Sequence, residues 1–353
     1  MSKIILPGYL KTLVILLLII VIIFVLIVGR SLLIPLMLGG YIAILMIPLC
    51  NWMENRKVPR VLSAFFSLLL SIITISGIIT LIVVQVSNFS KDLEDVSERM
   101  NNYIRDVDKF ATEKLDTDLG ISDGISKNQL FEFIESNSES VSDFVLNTLG
   151  SLTGVVLVPV FIFFMLIYRD HLEAFVARFF KEHNEEEVKD QIRSLRKVVQ
   201  FYIIGVIKVM GILAILNTAA LWIIGVKHAL FFGILAALFN IIPYLGPFLG
   251  AILPFIFAFL TMDGLIYPFA VVISFTIIQM FESNFLTPKI VGSNVNLNAL
   301  ITFMALLVGG AIWGVAGMIL IIPTLAILKR IFDLSESTKP FSYLLGEDED
   351  QKK

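Results

Sequence analysis

Glu282 is the side chain in this sequence best placed for proton or ion chemistry. It ends a run without charges in Gln279-Met280-Phe281-Glu282-Ser283-Asn284, just before Thr287-Pro288-Lys289. Ionisable groups within a membrane are costly and therefore default candidates for function. A carboxylate held beside amides and hydroxyls can take up and release a proton, which would couple transport to an ion. The competing reading is an interfacial carboxylate paired with Lys289.

Two further stretches offer backbone chemistry. Asn240-Ile241-Ile242-Pro243-Tyr244-Leu245-Gly246-Pro247 interrupts one long apolar run, with Gly250 and Pro254 following. Gly309-Gly310, Gly314, Gly317 and Pro323 interrupt another. Proline removes a backbone donor and collides with the preceding turn, so the helix kinks or stops. Broken backbone at membrane depth survives only inside protein or along a watery cavity, where freed amides and carbonyls become ligands. The residues expected to contact a solute are therefore Asn240, Pro243, Tyr244, Gly246, Pro247, Asn284, Gly309, Gly310 and Gly314, with Glu282 as the ion-coupling group. The alternative is a kink with close helix packing, since Gly246/Gly250 and Gly310/Gly314 are also small-xxx-small pairs.

The elements that must position these residues follow from hydropathy. Eight stretches of 18 residues or more carry no Asp, Glu, Lys or Arg: 12–29, 31–53, 61–90, 144–168, 209–226, 229–262, 264–281 and 290–328. A hydrocarbon core about 30 Å thick needs roughly 20 apolar helical residues to cross it. The composition is 57% hydrophobic and 16% charged, against about 25% charged in soluble proteins. The expected fold is an all-α polytopic membrane protein of about eight transmembrane helices, two of them broken or re-entrant. A transmembrane barrel is excluded, because runs such as Leu13–Val28 do not alternate. Ile27-Val28-Gly29-Arg30 offers no signal-cleavage site, so the first run reads as a span. Cys50 is the single cysteine, which rules out an intrachain disulfide.

Charge places the connections. Residues 88–147 hold 14 acidic and 6 basic residues. Lys and Arg cluster at Arg56, Lys57 and Arg60, through Arg169–Lys197, and at Lys329-Arg330. Basic residues near span ends stay cytoplasmic, so both termini are expected inside and the acidic segment outside. Arg30 is an exception at a tight outer turn. Lys208 reads as a snorkelling residue and Asp263 as a turn residue. Phe89, Leu93, Val96, Met100 and Tyr103–Ile104 recur at helical spacing, and Leu130, Ile134, Val141 and Phe144 suggest a partner, predicting an external helical hairpin. Val188, Ile192, Leu195 and Val199 form a stripe leading into the fifth span. Residues 172–181 suit an interfacial helix.

The expected organisation is thus spans 1–3 over 1–87, an acidic hairpin over 88–147 and span 4 over 148–168. Amphipathic cytoplasmic helices follow over 169–202, spans 5–8 over 203–330 and an acidic tail over 331–353. No G-x-x-x-x-G-K-[ST] loop, H-E-x-x-H pair or potassium filter is present, and His171, His183 and His228 are scattered. No enzyme chemistry, cofactor, metal or nucleic-acid partner is expected. The expected partners are the lipid bilayer, a small polar solute or monovalent cation, and further copies of the chain.

Several segments together resemble the autoinducer-2 exporter (AI-2E) family of bacterial membrane proteins. They are Gly29–Pro35, Tyr202 and Gly205 with the run to Val226, Asn240–Pro247, Glu282/Asn284/Pro288/Gly292, and Gly309–Gly317 through Pro323. The resemblance implies an inner-membrane secondary transporter of eight spans. It implies export of a furanone signal for some relatives, sodium (lithium)/proton exchange for others, and a sporulation association for a third group. The chain differs from many relatives in having Asn296–Leu300 where a His-Pro pair is common, and Lys208 where Gln is frequent. Solute export, ion exchange and an envelope scaffold without transport all stay open on these residues.

Overall fold

A computed structural model describes residues 7–91, 152–179, 185–262, 264–291, 297–333, 336 and 338–346. The predicted external acidic hairpin, Asp263 and the end of the acidic tail lie outside the described residues. Every regular element among those described is helical: α1 Gly8–Val28, α2 Arg30–Glu54, α3 Arg60–Lys91, α4 Leu152–Ile167, α5 Arg169–Phe179, α6 Glu185–Ile224, α7 Ala229–Phe239, α8 Leu245–Thr261, α9 Ile266–Phe281, a π-helical turn Glu282–Leu286, α10 Thr287–Ile290, α11 Ala299–Asp333 and α12 Lys339–Leu345. Among the described residues, six helical stretches are long and apolar enough to cross a membrane, and α4, α7 and α8 are shorter apolar helices. The all-α polytopic expectation holds. The amphipathic stripe before the fifth span is likewise continuous with it, as one 40-residue helix.

The chain divides into two compact units. The first gathers α1, α2, the start of α3, α4, α5, the start of α6, α11 and α12. Its core joins Ala43, Ile47 and Cys50 of α2 to Ala64, Ile162 and Leu166. Gly39 lets α2 approach α4: a Cβ there would lie 2.8 Å from the Phe161 Cβ. Pro48 sits inside α2 and cannot donate to the Ile44 carbonyl one turn earlier. The Gln200 side-chain amide donates to that carbonyl at 2.6 Å instead. The lost helical bond is thus replaced from α6.

Charges tie the ends of these helices together. Arg169, only 9% exposed, pairs with Glu54, and Arg60 pairs with Asp170 at 2.6 Å. Removing one partner of a buried ion pair leaves an uncompensated charge, so this network fastens the α2–α3 turn to the start of α5. The basic residues of both turns, read from sequence as topology signals, therefore also carry structure.

The eighth apolar run reverses direction within α11. Trp313 (φ −129°, ψ 15°) and Gly314 (φ 61°, ψ −143°) leave helical geometry. A Cβ on Gly309 would lie 2.8 Å from the Gly317 carbonyl oxygen and 3.3 Å from the Ile321 Cβ. In a straight helix, residues eight apart are separated by about 12 Å, so the two arms run back against each other. Their outer ends meet again. The Asn298 amide donates to the Leu345 carbonyl at 2.8 Å. Phe332 packs on Phe341, and Ser342 donates to Asp333. At the reversal, the Trp313 indole N–H donates to the Leu26 carbonyl at 2.8 Å. Tyr41 and Thr324 hydroxyls are 2.7 Å apart, and since Thr324 donates to the Leu320 carbonyl, Tyr41 is the donor.

The second unit gathers the rest of α3 and α6 with α7–α10. Here the sixth run also reverses, between α7 and α8. A Cβ on Gly250 would lie 2.9 Å from the Ala236 Cα, and one on Gly246 would overlap the Phe239 carbonyl. Small residues let the two backbones touch. Leu221, Phe232, Phe257, Ala258 and Val271 form the core at the base of this hairpin. Gly225 and Met262, before and after it, lie side by side. Each interruption predicted as a break is a complete hairpin. At 1.5 Å per residue the 11 residues of α7 extend only about 16 Å, roughly half the hydrocarbon thickness.

Candidate solute site

The tip of the first hairpin is built by Pro243. With no N–H and a fixed φ, it ends the helical register after Asn240. Ile241 and Ile242 donate to Leu238 and Phe239, Gly246 donates to Ile242, and Leu245 donates to Pro243 across two bonds at 2.8 Å. That last bond spans Tyr244 (φ 66°, ψ −47°), making a γ-turn of the rare, strained kind. A positive φ on an aromatic residue costs on the order of 1–3 kcal/mol and clusters at functional sites. Tyr244 itself is 54% exposed.

Beside this tip, α6, α7, α8 and α9 line a half-open cavity of about 580 Å³. Small-molecule sites run about 300–1,000 Å³ and combine apolar walls with a few polar groups. Its polar wall residues are Asn217 of α6, Asn240 at the tip, Thr276 and Gln279 of α9, and Ser283. Phe248, Phe255 and Phe275 supply aromatic wall. Thr276 donates to the Val272 carbonyl at 2.7 Å and Ser283 to the Gln279 carbonyl at 2.9 Å. Both hydroxyls therefore present lone pairs to the cavity rather than protons.

Glu282 stands behind that wall. It is 8% exposed, accepts from the Gln279 side-chain amide at 2.7 Å and from the Thr287 hydroxyl. The Thr287 contact depends on the π turn. Residues five apart are rotated about 140° from each other in an α-helix, and the wider turn brings them onto one face. Pro288, which lacks a donor, follows directly and disturbs the register. Lys289 is exposed and makes no ion pair with Glu282 among the described residues, so the interfacial-pair alternative is not what is seen.

Of the predicted contacts, Asn240 and Pro247 line the cavity. Pro243 and Gly246 shape the hairpin, and Tyr244 forms its turn without lining the wall. Asn284 is exposed and donates to the Met280 carbonyl at 2.7 Å. Gly309, Gly310 and Gly314 belong to the other compact unit: Gly309 packs on Gly317, Gly310 on Met318, and Gly314 supplies the reversal. Asn217, Thr276 and Gln279 are cavity residues that the glycine and proline signals did not single out. Asn217 was legible as the one amide in an 18-residue stretch without charges. Its distance in sequence from the other wall residues hid its role.

The AI-2E family transporter model matches residues 13–336. The chain belongs to this family. It is 26% identical over 312 residues to YrrI of Bacillus subtilis (strain 168), named as a candidate transport protein, covering 86% of each chain. It is 25% identical over 325 residues to the AI-2 transport protein TqsA of Escherichia coli (strain K12), covering 90% of each. A Haemophilus influenzae protein, also named as a candidate for transport, is 25% identical over 332 residues, covering 92% of each. The protein is therefore a multi-pass membrane protein of a bacterial transporter family.

Proposed function

We propose that this protein is a secondary transporter that exports a small polar solute through the α6–α9 cavity, with AI-2, the solute in the name of the transport protein TqsA, as the leading candidate. The observation that carries this reading is the cavity itself: five amide or hydroxyl side chains on four adjacent segments, bordered by a strained re-entrant tip and backed by Glu282. Glu282 serves as the proton-coupling group, communicating with the wall through Gln279. In the bacterial inner membrane, six crossings by α1, α2, α3, α4, α6 and α9 and two re-entrant hairpins leave both termini cytoplasmic. Homo-oligomers would cover the apolar surface left exposed along α1, where Phe24 and Val28 are each 64% exposed.

Sodium (lithium)/proton exchange is the second reading, and the cavity favours it less. A bare cation entering the cavity would shed its hydration shell with no carboxylate among the described wall residues to offset its charge, since Glu282 stands behind Gln279. Flux into proteoliposomes of purified protein, with labelled furanone, sodium and protons assayed in parallel, separates the two. Furanone flux that Glu282→Gln strips of its pH dependence supports export. Sodium-driven proton movement without furanone flux supports exchange. Absence of all three, together with complete loss of cellular function on deleting residues 90–140, would instead support a scaffold.

A further inference from the structure

We infer that the α6–α9 cavity takes an uncharged solute with a flat apolar face and at least one hydroxyl or N–H donor, and that Asn217 holds that donor. The inference deepens the transporter reading and rests on it for the cavity's being the solute site.

Asn217 is 5% exposed and its Oδ1 has no hydrogen-bond partner among the described residues, yet the residue lies on the cavity wall. A buried acceptor left unpaired is a standing cost, and such groups in native proteins call for an explanation. Asparagine is also a poor choice for a helix interior, and α6 is apolar for a full turn before it, with Thr218 the one polar residue in the turn after it. Both costs are accounted for when the amide turns its shielded oxygen toward the cavity and a ligand supplies the missing donor.

The rest of the wall selects the same chemistry. The Thr276 and Ser283 protons are spent on backbone carbonyls. One N–H of the Gln279 amide goes to Glu282, and its carbonyl oxygen is available to a ligand. Four polar groups thus present acceptors that a solute donor can meet, and the Asn240 amide offers both a donor and an acceptor. Among the described residues no Asp, Glu, Lys or Arg lines the cavity, so a charged solute would lose its hydration without a counter-charge. Phe248, Phe255 and Phe275 offer faces against which a ring can lie.

The full chain in lipid nanodiscs tests this with Ser283→Cys, which places a thiol on the cavity wall; the native Cys50 is 0% exposed. Maleimide labelling is timed against three probes sharing one ring: 1-phenyl-1,2-ethanediol, mandelate and phenylethylammonium. The expected result is protection by the diol alone. Asn217→Ala should raise the diol concentration for half-protection about tenfold, the worth of one hydrogen bond to a buried acceptor. Asn217→Asp keeps the acceptor and the volume, so it should retain diol protection and gain protection by the ammonium. Equal protection by mandelate or ammonium in the parent, or protection by no probe, overturns the solute class. Unchanged diol protection in a folded Asn217→Ala overturns the anchor. Separately, labelling to completion and finding furanone flux unaltered would sink the cavity as the transport site, whatever the probes show.

Discussion

The two helical hairpins start from the same sequence signal and reach different ends. The α7–α8 hairpin reverses over five residues, carries an amide at Asn240 and a strained turn at Tyr244, and borders a cavity. The α11 hairpin reverses over two residues, brings Gly309 against Gly317, and has its indole and hydroxyl groups bonded to neighbouring helices. Glycine in the second removes side chains so that backbones touch. Proline in the first removes a donor, so the chain must turn before it can pair again. Interrupted membrane helices are therefore not equivalent: one break is closed by packing, the other is left beside open volume.

The largest effect expected from this contrast is at Gly317. Its added Cβ would overlap the Gly309 carbonyl, which is backbone and cannot move aside. Gly317→Leu should abolish the folded protein, read as loss of the monodisperse peak on size exclusion in detergent. Recovery of a normal melting temperature would show that the α11 arms are not in contact.

A smaller pair of substitutions should act with opposite signs. Gly314→Ala forces a side chain onto φ 61°, ψ −143°, a region close to glycine-only, and should destabilise by about 1–3 kcal/mol. Tyr244→Gly relieves a positive φ and should stabilise by roughly 1 kcal/mol while lowering furanone flux. Thermal melts and flux on the same preparations check both. Equal signs would erase the distinction drawn here between a packed reversal and a strained one.

The smallest effect belongs to Trp313→Phe. It keeps the ring and deletes the hydrogen bond to the Leu26 carbonyl, costing about 1 kcal/mol with no change in solute preference. A shift in preference would mean that the α11 reversal takes part in recognition.

Much of this was legible in advance. Hydropathy marks the membrane segments because lipid demands continuous apolar helix. The excess length of the sixth and eighth runs, together with their glycines and prolines, locates both reversals to within a few residues. Glu282 stands out because a carboxylate at the end of an apolar run is rare. Its partners were harder to foresee. Gln279 lies three residues before it, as helical spacing allows, but Thr287 reaches it only through the π turn. No residue pattern announced that the Gln200 amide would cap the carbonyl orphaned by Pro48.

The sequence by itself determined that the chain is helical, lies in a membrane and breaks two of its helices. Those outcomes depend on local quantities: how many apolar residues stand in a row and where the backbone lacks a donor. Only the tertiary structure decided that the breaks are reversals, that one packs backbone on backbone while the other adjoins a cavity, and that Asn217 reaches that cavity from another helix. Whether a glycine meets a backbone or empty space, and whether a buried amide finds a partner, depends on which segments come together.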